Sequence, residues 1–303
     1  MHTTQYNPYM KEYVSYFSVV DFWNIPYIEA VLGFEIAETD SFDFTVSERS
    51  ARSQKNGRAS HLCQLALPSG AVVSRNGKMI ASPELMFLQL ACKLNIHRLI
   101  LLGLQLCSHP PGNPSGAITT KQNLKTFLAK TSGHRGHPKA LRAVKYLENG
   151  SASIMESMAY MLLTLPHALG GYGLGGAVFN HEIKLKGEAV TRLGQKRCFT
   201  DLYYKQARLA VEYESFTFHS SPSEQGKDVM RSAILNRHGV EVIRLSTIQL
   251  YDKDACMDFV FNLASRLGKR IQIRTKKFNE KHALLRALLP ARKPIVEPDG
   301  GKL

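Results

Sequence analysis

The residues best equipped for chemistry in this 303-residue chain are three carboxylates and a histidine within one short stretch. An apolar, β-branched and aromatic run, Phe199-Thr200-Asp201-Leu202-Tyr203-Tyr204, carries the first acid. A polar break at Lys205-Gln206-Ala207 follows, and a second run, Leu209-Ala210-Val211, ends in Glu212-Tyr213-Glu214. Two such runs around a short break predict a β-hairpin. With the loop centred near Gln206, Asp201 lies opposite Val211 or Glu212. Side chains alternate along a strand, so Glu212 and Glu214 share a face, and a four-residue loop puts Asp201 on it too. Carboxylates crowded on one patch repel, and a hard divalent cation with oxygen ligands relieves that repulsion. The alternative is a solvated sheet face on which the acids sit beside Lys205 and Arg208. His219 follows Glu214 closely enough to join either arrangement.

The hairpin needs partners to hold it. Glu224 to His238 predicts a helix with Asp228 and Arg231 three residues apart and Lys227 one turn before Arg231. Val240-Glu241-Val242-Ile243-Arg244-Leu245 predicts a short strand. Upstream, Ser153-Ile154-Met155-Glu156 ahead of an apolar run is a capping box: Ser caps N3, and the N3 Glu reaches back. Val178 to Lys186 reads as a strand. Between them lies a loop with glycines at 170, 171, 173, 175 and 176, which lacks the Lys-Ser/Thr and strand–helix context of a phosphate loop. The predicted order from Ser153 is α-β-β-β-α-β around a mixed sheet.

This order of an acid, then E-x-E, then a histidine, then D-x-x-R on a helix and a strand ending in R-L resembles the very-short-patch-repair-like endonucleases. More closely, it looks like an actinobacterial branch of that family, within the PD-(D/E)XK, restriction-endonuclease-like superfamily. The resemblance covers roughly residues 146–250. It implies an α/β fold: a restriction-endonuclease-like core preceded by an α+β accessory domain. It also implies a Mg²⁺ (or Mn²⁺) cofactor held by Asp201 and Glu212, with Glu156, Glu214 and His219 completing the catalytic set. Lys205, Lys227 and Arg231 are the residues expected to face nucleic acid. The implied activity is metal-dependent hydrolysis of DNA phosphodiesters, in repair or in defence against phage and mobile elements. The alternative is an inactive DNA-binding or regulatory, antitoxin-like protein that keeps the fold. Here Glu214 stands where the superfamily often has lysine, and Ser215 where the branch more often has glycine. The segment upstream of the nuclease-like region distantly resembles abortive-infection antitoxins.

Charge supports a polyanionic partner. The net charge is +14, distributed as −3 over residues 1–60, +9 over 61–150, +2 over 151–250 and +6 over 251–303. A near-neutral segment carrying the acid cluster is thus flanked by cationic ones, as expected where double-stranded or structured DNA is held over a metal site. No apolar run approaches the roughly 20 residues of a membrane helix, and the N-terminus shows no basic region followed by an apolar one. Five scattered cysteines without a C-x-x-C pair argue against a disulfide framework or structural zinc, so the expected setting is the reducing cytoplasm.

The expected organisation is an accessory region over 1–147, a nuclease-like domain over 148–268 and a basic tail over 269–303. The first sixty residues are acidic and aromatic, and their aromatics read as core packing. A helix is expected over 25–33, and strands over 42–46, 61–67 and 71–74, the last two joined by Pro68-Ser69-Gly70. Ser82-Pro83-Glu84 opens a helix in the preferred way, a second apolar segment runs over 96–106, and helices follow near 120–130 and 139–147. His134 and His137 flank a turn without an acid or cysteine partner in sequence. Beyond 250, an amphipathic helix is expected over 256–267, an edge strand or extended arm over 269–277, a helical stub over 282–289, and an unstructured end from Pro290.

Overall fold

The computed structural model describes residues 12–35, 41–53, 57–215 and 222–291, with the side chains of 222–225 and 228 outside that description. It is an α/β architecture with two mixed sheets. The first is formed by β1 (Glu12–Val14), β2 (Phe42–Val46), β3 (Arg58–Leu62), β4 (Val72–Arg75) and β5 (Lys78–Ala81), in the order β3-β2-β1-β5-β4. The strand expected over 71–74 is present as β4, whereas the one expected over 61–67 is corrected. β3 ends at Leu62 and pairs parallel with β2, whereas β4 pairs antiparallel with β5. The β4–β5 connection is Asn76-Gly77, both at positive φ (49° and 72°), the conformation that a two-residue hairpin turn demands.

A helical layer packs on this sheet. Helix α1 (Ile28–Leu32) ends at Gly33 in the left-handed conformation. Helix α2 (Pro83–Leu90) is capped by Ser82 Oγ, which accepts from Leu85 N–H, and α3 (Ile96–Leu106) by Asn95. Helices α4 (Lys121–Ala129) and α5 (His137–Val144) complete the layer. His134 is buried; its Nε2 lies against the Ala66 carbonyl, and that of His137 against the Leu128 carbonyl.

The second sheet follows α6 (Ile154–Thr164) and contains β6 (Ala177–Lys184), β7 (Arg197–Tyr204), β8 (Leu209–Glu214) and β9 (Glu241–Ser246), in sequential order. A short helix absent from the sequence reading, α7 (Glu188–Leu193), bridges β6 and β7, and α8 (Pro222–Arg237) connects β8 to β9. The β6–β7 and β7–β8 pairs are antiparallel, and β8–β9 is parallel, as a helical crossover requires. Leu202, Tyr204, Leu209 and Val211 enter the main core with α6, while Tyr203 and Ala210 meet Ile234 and Leu235 of α8 on the other face.

After β9 come α9 (Thr247–Tyr251), α10 (Lys253–Arg266) and α11 (Phe278–Arg286). Residues 269–275 form no strand, which corrects the edge-strand expectation; the alternation there is incomplete, and Lys269 instead donates to the Gly175 carbonyl. The segment read as a basic tail also contributes α11 to the core through Phe278, Leu285 and Leu288. One buried cluster extends from Tyr13 to Leu288, and it crosses the expected boundary near residue 147 without a gap. The five cysteines are free thiols, and no helix among the described residues is long and apolar enough to cross a membrane.

The glycine-rich loop has a packing explanation. His282 Nδ1 lies 2.7 Å from the Gly170 carbonyl, and a Cβ on Gly170 would strike the Lys281 backbone. A Cβ on Gly171 would collide with the Leu165 carbonyl. Gly170 lets α11 approach the loop after α6, and Gly171 lets that loop fold back on the end of α6. Gly171→Ala is therefore expected to destabilise the protein by about 1–3 kcal/mol, as overpacking does. Urea unfolding checks this, with Gly175→Ala as the control, since a Cβ at Gly175 meets only the Thr164 carbonyl at 4.0 Å.

Candidate metal and phosphate site

The hairpin register brings Asp201 and Glu212 together. Tyr204 pairs with Leu209 and Leu202 with Val211, leaving residues 205–208 as a four-residue loop. Continued by one position, that register sets Asp201 opposite Glu212. The ladder stops there, because the Asp201 carboxylate takes the place of a backbone carbonyl: Tyr213 N–H donates to its Oδ2 at 2.8 Å. The other Asp201 oxygen has no hydrogen-bond partner among the described residues.

The neighbouring strand is distorted at the same level. Asn180 would pair with Asp201 but adopts a left-handed φ of 43°. In a regular strand, residues five apart face opposite sides. Yet Val178 and Ile183 of β6 pack into the same apolar cluster, as do Cys198 and Tyr203 of β7. Both strands therefore reverse their pleat in concert at Asn180 and Asp201. That reversal places Asp201 where its charge reaches both α6 on one side and Glu212 on the other.

From α6, the buried Glu156 completes the acidic group. Ser153 Oγ accepts from Glu156 N–H at 3.1 Å, which is the expected first half of the capping box. The second half is displaced by one residue: the Glu156 carboxylate accepts from Ala152 N–H at 2.9 Å rather than from Ser153. Asn180 Nδ2 explains the displacement, for it donates to the same Glu156 oxygen at 3.1 Å and to the Gly150 carbonyl at 2.7 Å. Asn180 was not singled out in the sequence, where its only signal is that Asn tolerates left-handed backbone better than its neighbours.

One cation faces these acids directly. Arg231 of α8 forms a fork on Glu212, Nη1 to Oε2 at 3.1 Å and Nη2 to Oε1 at 3.2 Å, and Nη2 also donates to the Phe199 carbonyl. That guanidinium, even with the weaker pull of Arg244 of β9 on Glu212, does not balance the group. Burial pushes the Glu156 carboxyl up to about 7, and the nearby Asp201 charge adds to the rise. Glu212 is raised first by burial and then by Asp201, against the pull of Arg231. Asp201 is raised by burial, with the Tyr213 N–H and Arg231 opposing.

The remaining expected site residues are dispersed. Glu214 is exposed at the end of β8 and pairs with Arg244 of β9 at 3.5 Å, so the sheet places it beside the group rather than in it. Lys205 stands in the hairpin turn, four residues and about 13 Å along the strand from Asp201. Lys227 is exposed on α8 one turn before Arg231. His219 and the Asp228 side chain lie outside the described residues.

Among the described residues, no group of three or more His, Cys, Asp and Glu side chains is arranged to ligate a metal ion. Asp201 and Glu212 nevertheless offer the hard oxygen donors and uncompensated charge that suit Mg²⁺. No family model, curated protein or solved structure matches the chain.

The raised Glu156 pKa gives a stability prediction with a definite sign. Unfolded, Glu156 ionises near 4.5, and folded near 7. Between these values the native state holds a proton that the unfolded chain has lost, so the Glu156 contribution makes stability fall as pH rises. Glu156→Gln carries no such proton. In chelator, the parent is expected to lose stability relative to Glu156→Gln by up to about 1.4 kcal/mol per pH unit across that window, with no further change above it. Urea midpoints measured from pH 4 to 8 check this; parallel profiles would contradict it.

Proposed function

We propose that the chain is a Mg²⁺-dependent endonuclease acting on double-stranded or structured DNA, built on a restriction-endonuclease-like core. The observation that carries this reading is the approach of Glu156 and Glu212 to Asp201 from three elements, with Arg231 and, more weakly, Arg244 offsetting only part of their charge. The element order α6-β6-α7-β7-β8-α8-β9, with a parallel final pair and α7 as an added bridge, supports it as a scaffold. The cationic segments on either side of the acidic one supply the attraction for a polyanion.

In this reading Asp201 and Glu212 hold the cation. When bound, it supplies a Lewis acid for the phosphoryl oxygen and lowers the pKa of a coordinated water. Arg231 serves as the internal counter-ion of Glu212 without metal, and its fork turns to a phosphate oxygen once the acids are otherwise neutralised. Lys227, one turn away and exposed, meets the neighbouring phosphate. Glu156, poised near neutrality and fixed by Ala152 and Asn180, accepts or returns a proton at its carboxylate. His219 keeps the role of a second proton-handling group on the strength of its place in the sequence.

A second reading, an inactive DNA-binding protein, is favoured by one observation: the Arg231–Glu212 fork is also what a purely structural ion pair looks like. The two readings part on whether the parent protein cleaves DNA when Mg²⁺ or Mn²⁺ is added. Asp201→Asn is expected to abolish that cleavage. It should leave urea stability in chelator equal or slightly higher, because a buried carboxylate repelling two others has gone. Cleavage by the parent that survives this substitution would dismiss the site.

Both readings require binding that weakens steeply with salt, since lysines and arginines displace counterions from phosphate. Affinity for a duplex probe should fall at least tenfold between 50 and 200 mM salt, a drop to be expected for about two or more phosphate contacts. Fluorescence anisotropy titrations measure it, and a flat profile would remove DNA as the partner.

A further inference from the structure

The aromatic head reads in sequence as packing, and much of it is: Phe17, Phe22, Trp23 and Phe44 pack against the main core. Phe42 does not join them, and it remains 37% exposed on β2, as does Met79 on β5. Around Phe42, cations and rings alternate from one edge strand to the other. The Arg75 guanidinium of β4 lies 4.9 Å from the Trp23 ring. The Lys78 ammonium of β5 stands between Phe22 and Phe42, at 5.7 and 5.8 Å. Phe42 and Phe44 are 5.0 Å apart, and Arg58 of β3 lies 3.8 Å over Phe44. Five strands at the usual spacing make this stripe about 19 Å long. Beside it opens a groove of about 260 Å³, lined by Glu12, Tyr13, Val14, Phe42, Phe44, Lys78 and Met79.

Cationic stems covering buried rings would be ordinary surface packing. An open groove, an exposed ring and excess charge call for more. Glu12 pairs with Arg58. Among the described residues, neither Arg75 nor Lys78 has a carboxylate at ion-pair distance. Ring faces and guanidinium planes alternating with free cations match one chemistry: unpaired bases, which stack on π-faces and arginine planes, joined by phosphates that need cations. A four-stranded sheet face already suffices to stack two or three bases.

We propose that this stripe is a stacking platform for single-stranded DNA, the unpaired segment of a structured substrate. The choice of DNA rests on the function proposed above; the stacking chemistry rests on the stripe itself.

The test uses the full chain in chelator, a labelled oligothymidylate and a blunt duplex of equal length, with binding followed by anisotropy. The double variant Phe42→Leu/Phe44→Leu keeps apolar volume but removes both π-faces. Its oligothymidylate affinity should fall about five- to hundred-fold, the range for loss of aromatic stacking, with duplex affinity unchanged. Phe42→Ala, at the exposed position, repeats the test should the double variant fold poorly. Lys78→Gln should reduce the salt slope for the oligonucleotide by about 0.7, the loss of one single-strand phosphate contact. Unchanged oligothymidylate binding in folded variants overturns the proposal. So does tighter binding of oligouridylate than of oligothymidylate, or a concentration-dependent dimer, seen by light scattering, that Phe42→Ala dissolves without affecting oligonucleotide binding. Cleavage is scored separately. Loss of stacking in a parent that never cleaves supports the platform and removes only the nuclease reading; intact stacking in a parent that does cleave removes only the platform.

Discussion

The hydrogen bond from Tyr213 N–H to the Asp201 carboxylate is the point on which the second sheet turns. A backbone donor at that level would ordinarily find a carbonyl on the adjacent strand. Here a side chain takes it, so the β7–β8 ladder stops one residue short of the acids while its last donor stays satisfied. The cost is a buried carboxylate, and that cost spreads. Asp201 raises the pKa of Glu156 on one side and Glu212 on the other, and Arg231 is tied down to offset part of it. Asn180 is drawn into left-handed backbone at the same level, with its amide bridging Glu156 and Gly150. A buried polar group left unpaired costs about 1–3 kcal/mol, so each partner in this chain is held as much by its neighbours' needs as by its own.

The hairpin was legible because its information is local. Four loop residues and two β-branched, aromatic runs fix the register, and the register fixes which acids meet. The helix caps at Ser82 and Ser153 were legible for the same reason. What escaped depends on contacts between distant segments. Asn180 gives no sign in sequence that the pleat reverses there, because the cause is Glu156, twenty-four residues earlier. Glu214 shares a face with Glu212 by parity, as expected, but parity does not say that the strand end is exposed or that Arg244 of a parallel neighbour waits there. The β4–β5 hairpin was different: Asn76-Gly77 is a strong local signal, yet β5 is missing from the strands expected from the sequence.

The glycines of residues 170–176 show how one composition serves unlike ends. A phosphate loop and a close backbone crossing both need residues without Cβ. The crossing is what the fold uses, with the Lys281 backbone against Gly170 and the His282 ring on its carbonyl. The basic C-terminal segment is likewise more than charge, since Phe278 and Leu285 of α11 help seal the core beneath that loop.

These features together explain why so acidic a group persists although Arg231 and, more weakly, Arg244 offset only part of its charge. Burial of three carboxylates opposes folding at neutral pH, as at Glu156, which folding deprives of water although a proton there is only half retained near pH 7. The opposing term is the apolar cluster shared by both sheets and by α11, which includes Leu202, Leu209 and Val211 on the strands that bear the acids. The strands cannot shift to separate the carboxylates without exposing those side chains, because a one-residue slip would turn them to the other face. The core therefore holds the acids in a repulsive arrangement that any added positive charge, whether a metal ion or a proton, would relieve.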